Sequence, residues 1–355
     1  MLKLEPRPQP SRALSLASPL LALAITTMLG VLLFALLGKD PLRGLQMFFV
    51  EPVKSLYALS ELSVKATPLV LIALGLAVCF RSNVWNIGAE GQFVLGALAG
   101  GWVAMQAGPG TGRWIVVAIL VAGVLGGMLW AALVALLRDR FNANEILVSL
   151  MLVYVAVLLL SYLVYGPWKD PKGYNFPQTV TFDAATQIPR LAPKLRANIG
   201  TLVALGAVAA VWVFLFRLYQ GFQLQVGGLA PLAARYAGFS SRLALWTALL
   251  LSGALAGLAG ALEAAGPLGQ LTPYVPAGYG FAAIIVAFVG RLHPLGIVFS
   301  ALLMSMFYIG GELAQSRMGL PKSLTGVFQG LLLFTLLACD TLIHYRVRVG
   351  TRKGG

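Results

Sequence analysis

Apolar residues run along this chain in long blocks separated by short polar punctuation. The pattern has neither the two-residue alternation of a strand nor the one-sided stripe of a soluble helix. The first block, Leu20 to Leu37, is long enough to cross a hydrocarbon core of about 30 Å. Lys3, Arg7 and Arg12 precede it, and Gly38-Lys39-Asp40-Pro41 follows without a small-x-small cleavage site, so it reads as a retained signal anchor and not as a cleaved signal peptide. After a mixed segment from Lys39 to Leu56, suited to the interface, further blocks run from Tyr57 to Phe80, from the polar stretch at Asn86 to Gln106, from Trp114 to Leu137, and from Asn142 to Tyr165.

The stretch from Gly166 to Arg196 is polar and proline-rich, and predicts a loop or small cap outside the bilayer. Ile199 to Leu218 forms the next block, followed by a polar segment, Tyr219 to Leu243, on the side of the tails. Trp246 to Gly266, Pro294 to Leu313 and Leu324 to Leu342 complete the long blocks. Phe281 to Gly290 is too short to span alone: it is either the end of a longer helix beginning in 272–280 or a broken helix. The fold expected is all-α, a polytopic membrane helix bundle of about ten spans with broken helices. It divides into an N-terminal tail over 1–18, a transmembrane region over 19–343, and a basic tail over 344–355. Within that region lie an external loop at 166–196 and a cytoplasmic segment at 219–243.

Composition strengthens this reading: of 355 residues, 59% are hydrophobic and only 11% charged, which excludes an ordinary soluble enzyme. A net charge of +14 raises the question of nucleic acid, but the Lys and Arg residues are scattered over loops and tails and form no basic face. They act as a topology signal. Arg346, Arg348, Arg352 and Lys353, with no acid among them, favour cytoplasmic termini. Cys79 and Cys339 sit inside apolar blocks as packing thiols, and His293 and His344 have no ligand-like companions, so no metal site is expected.

Polar groups inside apolar blocks carry the candidate chemistry. In Asn86-Ile87-Gly88-Ala89-Glu90-Gly91-Gln92, two glycines lower helix propensity, Asn86 is placed to cap the next helix, and Glu90 falls in its first turn. Two readings are open: a capped helix start with Arg81 as partner, or a polar kink in which Asn86, Glu90 and Gln92 line a substrate pathway. Asn142-Ala143-Asn144-Glu145 is a second helix opening, with Asn142 or Asn144 as the cap. Glu61 and Lys65 are spaced to neutralise each other. Glu263 and Glu312 lie near span ends, and Glu263 follows a face of small residues (Ser252, Ala256, Gly260, beside Gly253 and Gly257) that lets helix backbones approach closely. Between Gly221 and Gly238, glycines are expected to break the incoming span, Pro231 suits a first helical turn, and Gly238 stops the helix. A short surface helix so flanked is a docking element for a soluble partner.

These segments carry a family resemblance. Asn86 to Gln92, Asn144-Glu145, Gly221-Phe222 with Ala233-Ala234-Arg235-Tyr236-Ala237-Gly238, Ser252-Gly253 with Ala256 to Gly260, and Gly290-Arg291 with His293-Pro294-Leu295-Gly296 resemble, in order over roughly 60 to 340, the inner-membrane permeases of bacterial ABC importers. The group is the branched-chain amino acid, ribose and nucleoside type, and the Asn-Ile-Gly-Ala-Glu-Gly-Gln form is most similar to general nucleoside or simple-sugar permeases. The resemblance implies a multi-pass subunit of the bacterial inner membrane that forms the translocation pathway. It implies a second permease, similar or identical, two cytoplasmic ABC ATPase subunits, and an extracytoplasmic binding protein or lipoprotein. The coupling helix would be carried by Leu229, Ala230, Pro231, Ala233, Ala234, Arg235, Tyr236 and Gly238. No Gly-x-x-x-x-Gly-Lys-Ser/Thr occurs, so the chain binds no cofactor by that motif, and the partner ATPase would use the ATP and Mg. The chain is thus expected to be a transport subunit without catalytic residues, in contact with membrane lipid and not with nucleic acid. A branched-chain amino acid or another small polar solute is the alternative cargo, and an ion-coupled secondary transporter using Glu61, Glu90 or Glu263 the alternative of another class.

Overall fold

The computed structural model describes residues 2–6, 12–108 and 110–349, with side chains described over 17–108 and 110–342. Apart from one short ribbon, the regular structure among these residues is helical. The helices are α1 (Arg12–Leu36), α2 (Pro41–Leu45), α3 (Leu56–Arg81), α4 (Ala89–Met105), α5 (Ile115–Phe141), α6 (Glu145–Tyr165), α7 (Ile199–Arg217), α8 (Tyr219–Leu229), α9 (Pro231–Tyr236), α10 (Ser241–Glu263), α11 (Tyr279–Val289), α12 (Pro294–Met318) and α13 (Ser323–His344). The ribbon pairs β1 (Leu2–Pro6) antiparallel with β2 (Tyr345–Val349), Leu2 opposite Val349, so the two ends of the chain lie together.

Eight helices are long and apolar enough to cross a membrane by length and composition: α1, α3, α5, α6, α7, α10, α12 and α13. The two further spans expected from the sequence are shorter pieces, α4 with 17 residues and α11 with 11. Outward-facing Leu129, Leu158 and Leu202 on α5, α6 and α7 are more than half exposed, as a lipid-facing surface requires.

The chain divides into two compact units, Met1–Ser55 with Met306–Gly355, and Leu56–Ser305. In the first, α1 and α13 are joined by a hydrogen bond between the Thr26 and Thr335 hydroxyls (2.9 Å). Phe34, Phe48, Phe307 and Phe328 form an aromatic cluster with ring centroids 4.7–6.2 Å apart. The mixed segment expected at the interface holds α2, whose N-cap Asp40 accepts from the Leu42 amide, and then irregular helical turns to Val53.

The second unit is built around α10. Its small residues meet three helices at backbone distance: a Cβ added at Gly96 of α4 would stand 2.2 Å from the Gly257 carbonyl oxygen, one at Gly127 of α5 2.1 Å from that of Gly253, and one at Gly75 of α3 2.8 Å from the Ser252 Cα. Such approach trades side-chain volume for close contact between backbones, the packing available where no hydrophobic effect drives helices together.

Asn142 and Asn144 divide the work at the α5–α6 turn. Asn142 ends α5 in the left-handed conformation (φ 49), and the Asn144 side chain caps α6 by accepting from the Ile146 and Leu147 amides. Glu145 lies 3.3 Å from Arg138. The stretch from Gly166 to Arg196 is irregular, as its prolines imply. It runs beside the segment after α10, with Ile188, Phe182 and Thr179 donating to the carbonyls of Ala265, Gly269 and Leu271. Arg196 lies 3.1 Å from Glu61, so Glu61 reaches an arginine far along the chain that the i, i+4 spacing with Lys65 does not announce.

Candidate functional site

Two places in the second unit concentrate polar or unusual geometry. The first is the stretch from Asn86 to Gln92. Helix α4 begins at Ala89 with Gly88 as its N-cap and no side-chain cap, so Asn86 does not have the capping role its position implied. Its side chain instead faces Gln92: Asn86 Nδ2 donates to Gln92 Oε1 (3.0 Å) and to Ser252 Oγ (3.0 Å), while Asn86 Oδ1 accepts from Gln92 Nε2 (3.2 Å) and from the Gly88 amide (3.1 Å). The two amides thus satisfy each other, and Asn86 and Gln92 are at most 1% exposed. Pairing of this kind is what burial of an amide demands.

Glu90 is 2% exposed and serves another helix. Its Oε1 accepts from the Gly278 amide (2.9 Å) and its Oε2 from the Gly280 amide, which places the carboxylate on the N-terminus of α11. At the start of α11 Glu90 supplies acceptors for the Gly278 and Gly280 amides and the negative charge that the positive end of the helix dipole favours. Gly278 adopts φ 79, and a Cβ at Gly280 would meet the Glu90 backbone at 2.3 Å, so both glycines are required by the approach. Tyr279, 1% exposed, packs edge-on against Phe93. The segment 281–290 is therefore a half-helix, and the expected Arg81 partnership gives way to two backbone amides.

Arg81, at the last turn of α3, has its own set of partners. Its Nε donates to the Leu292 carbonyl (2.9 Å), its NH1 nitrogen to Gln225 Oε1 (2.8 Å), and its guanidinium lies over the Phe216 ring at 5.2 Å. Arg291 and Leu292 both have left-handed backbones (φ 57 and 53), which turns the chain sharply between α11 and α12. His293 follows; burial first and the Arg81 charge second push its pKa below the usual 6.5. Its Nδ1 accepts from the Leu295 amide (3.3 Å), a bond only the unprotonated nitrogen can make.

The second place is the pair α8–α9. Helix α8 runs through Gly221, Gly227 and Gly228, so these glycines do not break the incoming span. The break is at Leu218, which is extended (φ -90, ψ 144). Gly221 and Gly228 instead allow contact: a Cβ would stand 1.9 Å from the Phe214 oxygen at the first and 2.2 Å from the Arg81 oxygen at the second. Helix α9 starts at Pro231 and is stopped by Gly238 at φ 78, as its sequence implied. Leu229, Leu232 and Tyr236 are 87, 73 and 95% exposed, an apolar row with Ala230, Pro231, Ala233, Arg235 and Gly238 exposed around it. Ala234 alone is buried, and faces a cavity of about 310 Å³ also lined by Ser82, Gln223, Phe239 and Ser241.

The second unit thus combines close helix approaches, a half-helix capped by an acid from a neighbouring helix, and a short helix with an exposed apolar row. The family described as branched-chain amino acid transport system, permease component, matches residues 58–337. The chain belongs to this family. It is 34% identical over its whole length to the glucose ABC transporter permease protein TsgB13 of Haloferax volcanii, covering 95% of that protein. It is 29% identical to the guanosine ABC transporter permease protein NupP of Bacillus subtilis, over 87% of this chain and 89% of that one, and 26% identical to the nucleoside permease protein NupB of Lactococcus lactis, over 89% of each. It is thus a multi-pass ABC permease subunit, a transport component.

Ser252, Gly278, Gly280, Gln225 and Leu292 belong to these sites and were not singled out as site residues from sequence. Only Gly278-x-Gly280 ahead of an apolar run carried a readable signal. The hydroxyl of Ser252 was visible merely as one member of a small-residue row.

Proposed function

We propose that the chain forms the translocation pathway of an ATP-driven importer for nucleosides or simple sugars. The observation that carries this reading is the exposed row Leu229, Leu232 and Tyr236 on a rigid helix pair: an apolar docking face on a membrane subunit calls for a soluble partner to cover it. That partner is an ABC ATPase, which supplies ATP and Mg chemistry the permease lacks. The cargo class rests on the relatives named for glucose, guanosine and nucleosides.

The complex holds two permeases, identical or paired with a similar subunit, and receives cargo from an extracytoplasmic binding protein on the side of the 166–196 loop. The tails at 1–18 and 344–355 and the segment 219–243 face the cytoplasm. Asn86 and Gln92 are closed against each other and Ser252, and Glu90 against the start of α11, so they meet cargo only when these contacts open. Low affinity suffices for that role, since selection falls to the binding protein.

The test is uptake of radiolabelled guanosine and glucose by cells carrying the transporter, with purification of the permease in detergent. Uptake that stops on ATP depletion but survives collapse of ion gradients, with an ATPase recovered beside the permease, is the expected result. Uptake that follows an ion gradient, from a lone monomer, would transfer the protein to the secondary transporters.

A further inference from the structure

The Arg81 side chain touches three parts of the second unit at once: α8, the end of α7 and the turn after α11. We infer that it is the positioning residue through which the docking helices α8–α9 act on the half-helix α11, a role that rests on the importer reading above. One side of the guanidinium grips α8 through Gln225 Oε1 (2.8 Å), and Gln225 is itself anchored by Nε2 to the Leu215 carbonyl (2.6 Å) and the Gly221 carbonyl (3.3 Å). Gly228 lies against the Arg81 backbone, so α8 rests directly on the end of α3. The Nε grips the Leu292 carbonyl (2.9 Å), which the left-handed turn at Arg291 and Leu292 presents to it.

Helix α11 is therefore held at both ends by groups from other helices, Glu90 of α4 at its start and Arg81 of α3 at its finish. Phe80 stacks on Phe288 with centroids 5.1 Å apart, which keeps the end of α11 beside Arg81. A displacement of α8–α9 draws on the Gln225–Arg81 bond, and the same guanidinium transmits it to the turn after α11. That turn closes α11, whose other end rests on the Glu90 carboxylate, so the link runs from α8–α9 to the helix that covers Glu90. A lysine cannot replace this arrangement, because a single ammonium on a flexible stem does not bridge two acceptors in a fixed fork.

The experiment uses the complete transporter in proteoliposomes, with guanosine or glucose, whichever the wild type takes up, as the probe. Arg81→Met and Gln225→Met are each expected to retain the ATPase, with hydrolysis within about twofold of wild type, while uptake per ATP falls about tenfold. The double variant should be no worse than the worse single one, since both remove the same link. Gln225→Glu keeps the acceptor toward Arg81 but loses the two Nε2 donor bonds, so it should recover uptake per ATP only in part, clearly above Gln225→Met.

Uptake and hydrolysis falling in proportion, additive losses in the double variant, or Gln225→Glu as poor as Gln225→Met would each overturn the proposal. Should Arg81→Met fail to assemble, the two Gln225 variants decide it by themselves. A wild-type chain that binds no ATPase fails at the previous step and disposes of the importer reading instead.

Discussion

Glu90 shows how one buried acid becomes affordable. A carboxylate in the interior of a helix bundle is costly unless its oxygens are satisfied, and here they cap the first amides of α11. Glu90→Ala would leave the buried Gly280 amide and the half-buried Gly278 amide without their acceptor and is expected to destabilise the protein by roughly 1–3 kcal/mol, whereas Glu90→Gln, keeping one acceptor, should cost about half of that. Thermal unfolding in detergent checks the order of the two. His293 gives the pH-dependent counterpart. Its native pKa lies below 6.5, so the folded state binds the proton less readily than the unfolded one. Stability contributed by the neutral ring is present above the unfolded value of about 6.5 and is lost as pH falls through the lower folded value. Melting of the wild type should therefore drop more than that of His293→Gln when the pH is taken from neutral to about 5.

At the scale of elements, glycine has two different meanings that sequence cannot separate. Gly227 and Gly228 are neighbours on α8, yet a Cβ at Gly227 meets nothing within 4 Å and one at Gly228 would stand 2.2 Å from the Arg81 carbonyl oxygen. Gly227→Ala is expected to be neutral or to stabilise by up to about 1 kcal/mol. Gly228→Ala should cost about 1–3 kcal/mol, because the backbone it meets cannot yield as a side chain would. Comparing their unfolding midpoints separates a glycine placed for contact from one placed by tolerance. Both were legible as helix breakers only, since composition alone does not reveal what lies across from a residue.

Within the unit Leu56–Ser305, tightly fitted helices carry the exposed row on α8–α9 to which we assign the ATPase. Leu232 and Tyr236 are exposed while Ala234, between them, is buried. Leu232→Asp or Tyr236→Asp should weaken association with the ATPase more than tenfold, on the order of a hot-spot loss, without disturbing membrane insertion. Ala234→Asp, by contrast, places an acid in the wall of the helix pair and should damage α8–α9 itself. Co-purification together with limited proteolysis distinguishes loss of a contact from loss of the helix.

Much of this architecture was legible from the chain alone. The long apolar blocks located every helix able to span, because backbone satisfaction without water leaves little choice but a helix. Pro231 and Gly238 bounded α9, and Asn144 opened α6, because caps and breakers act within a few residues. What Asn86, Glu90 and Gln92 bind was not legible: the two amides pair with each other and with Ser252, 166 residues on, and Glu90 caps α11 through Gly278, 188 residues on. Arg81 likewise found Gln225 and Leu292 in place of Glu90. The sequence by itself determined where the chain is helical, where it turns, and where α9 starts and stops, since local sterics and hydration decide those. Only the tertiary structure decided which buried polar group answers which, because a group removed from water takes its partner from whatever the packing brings near.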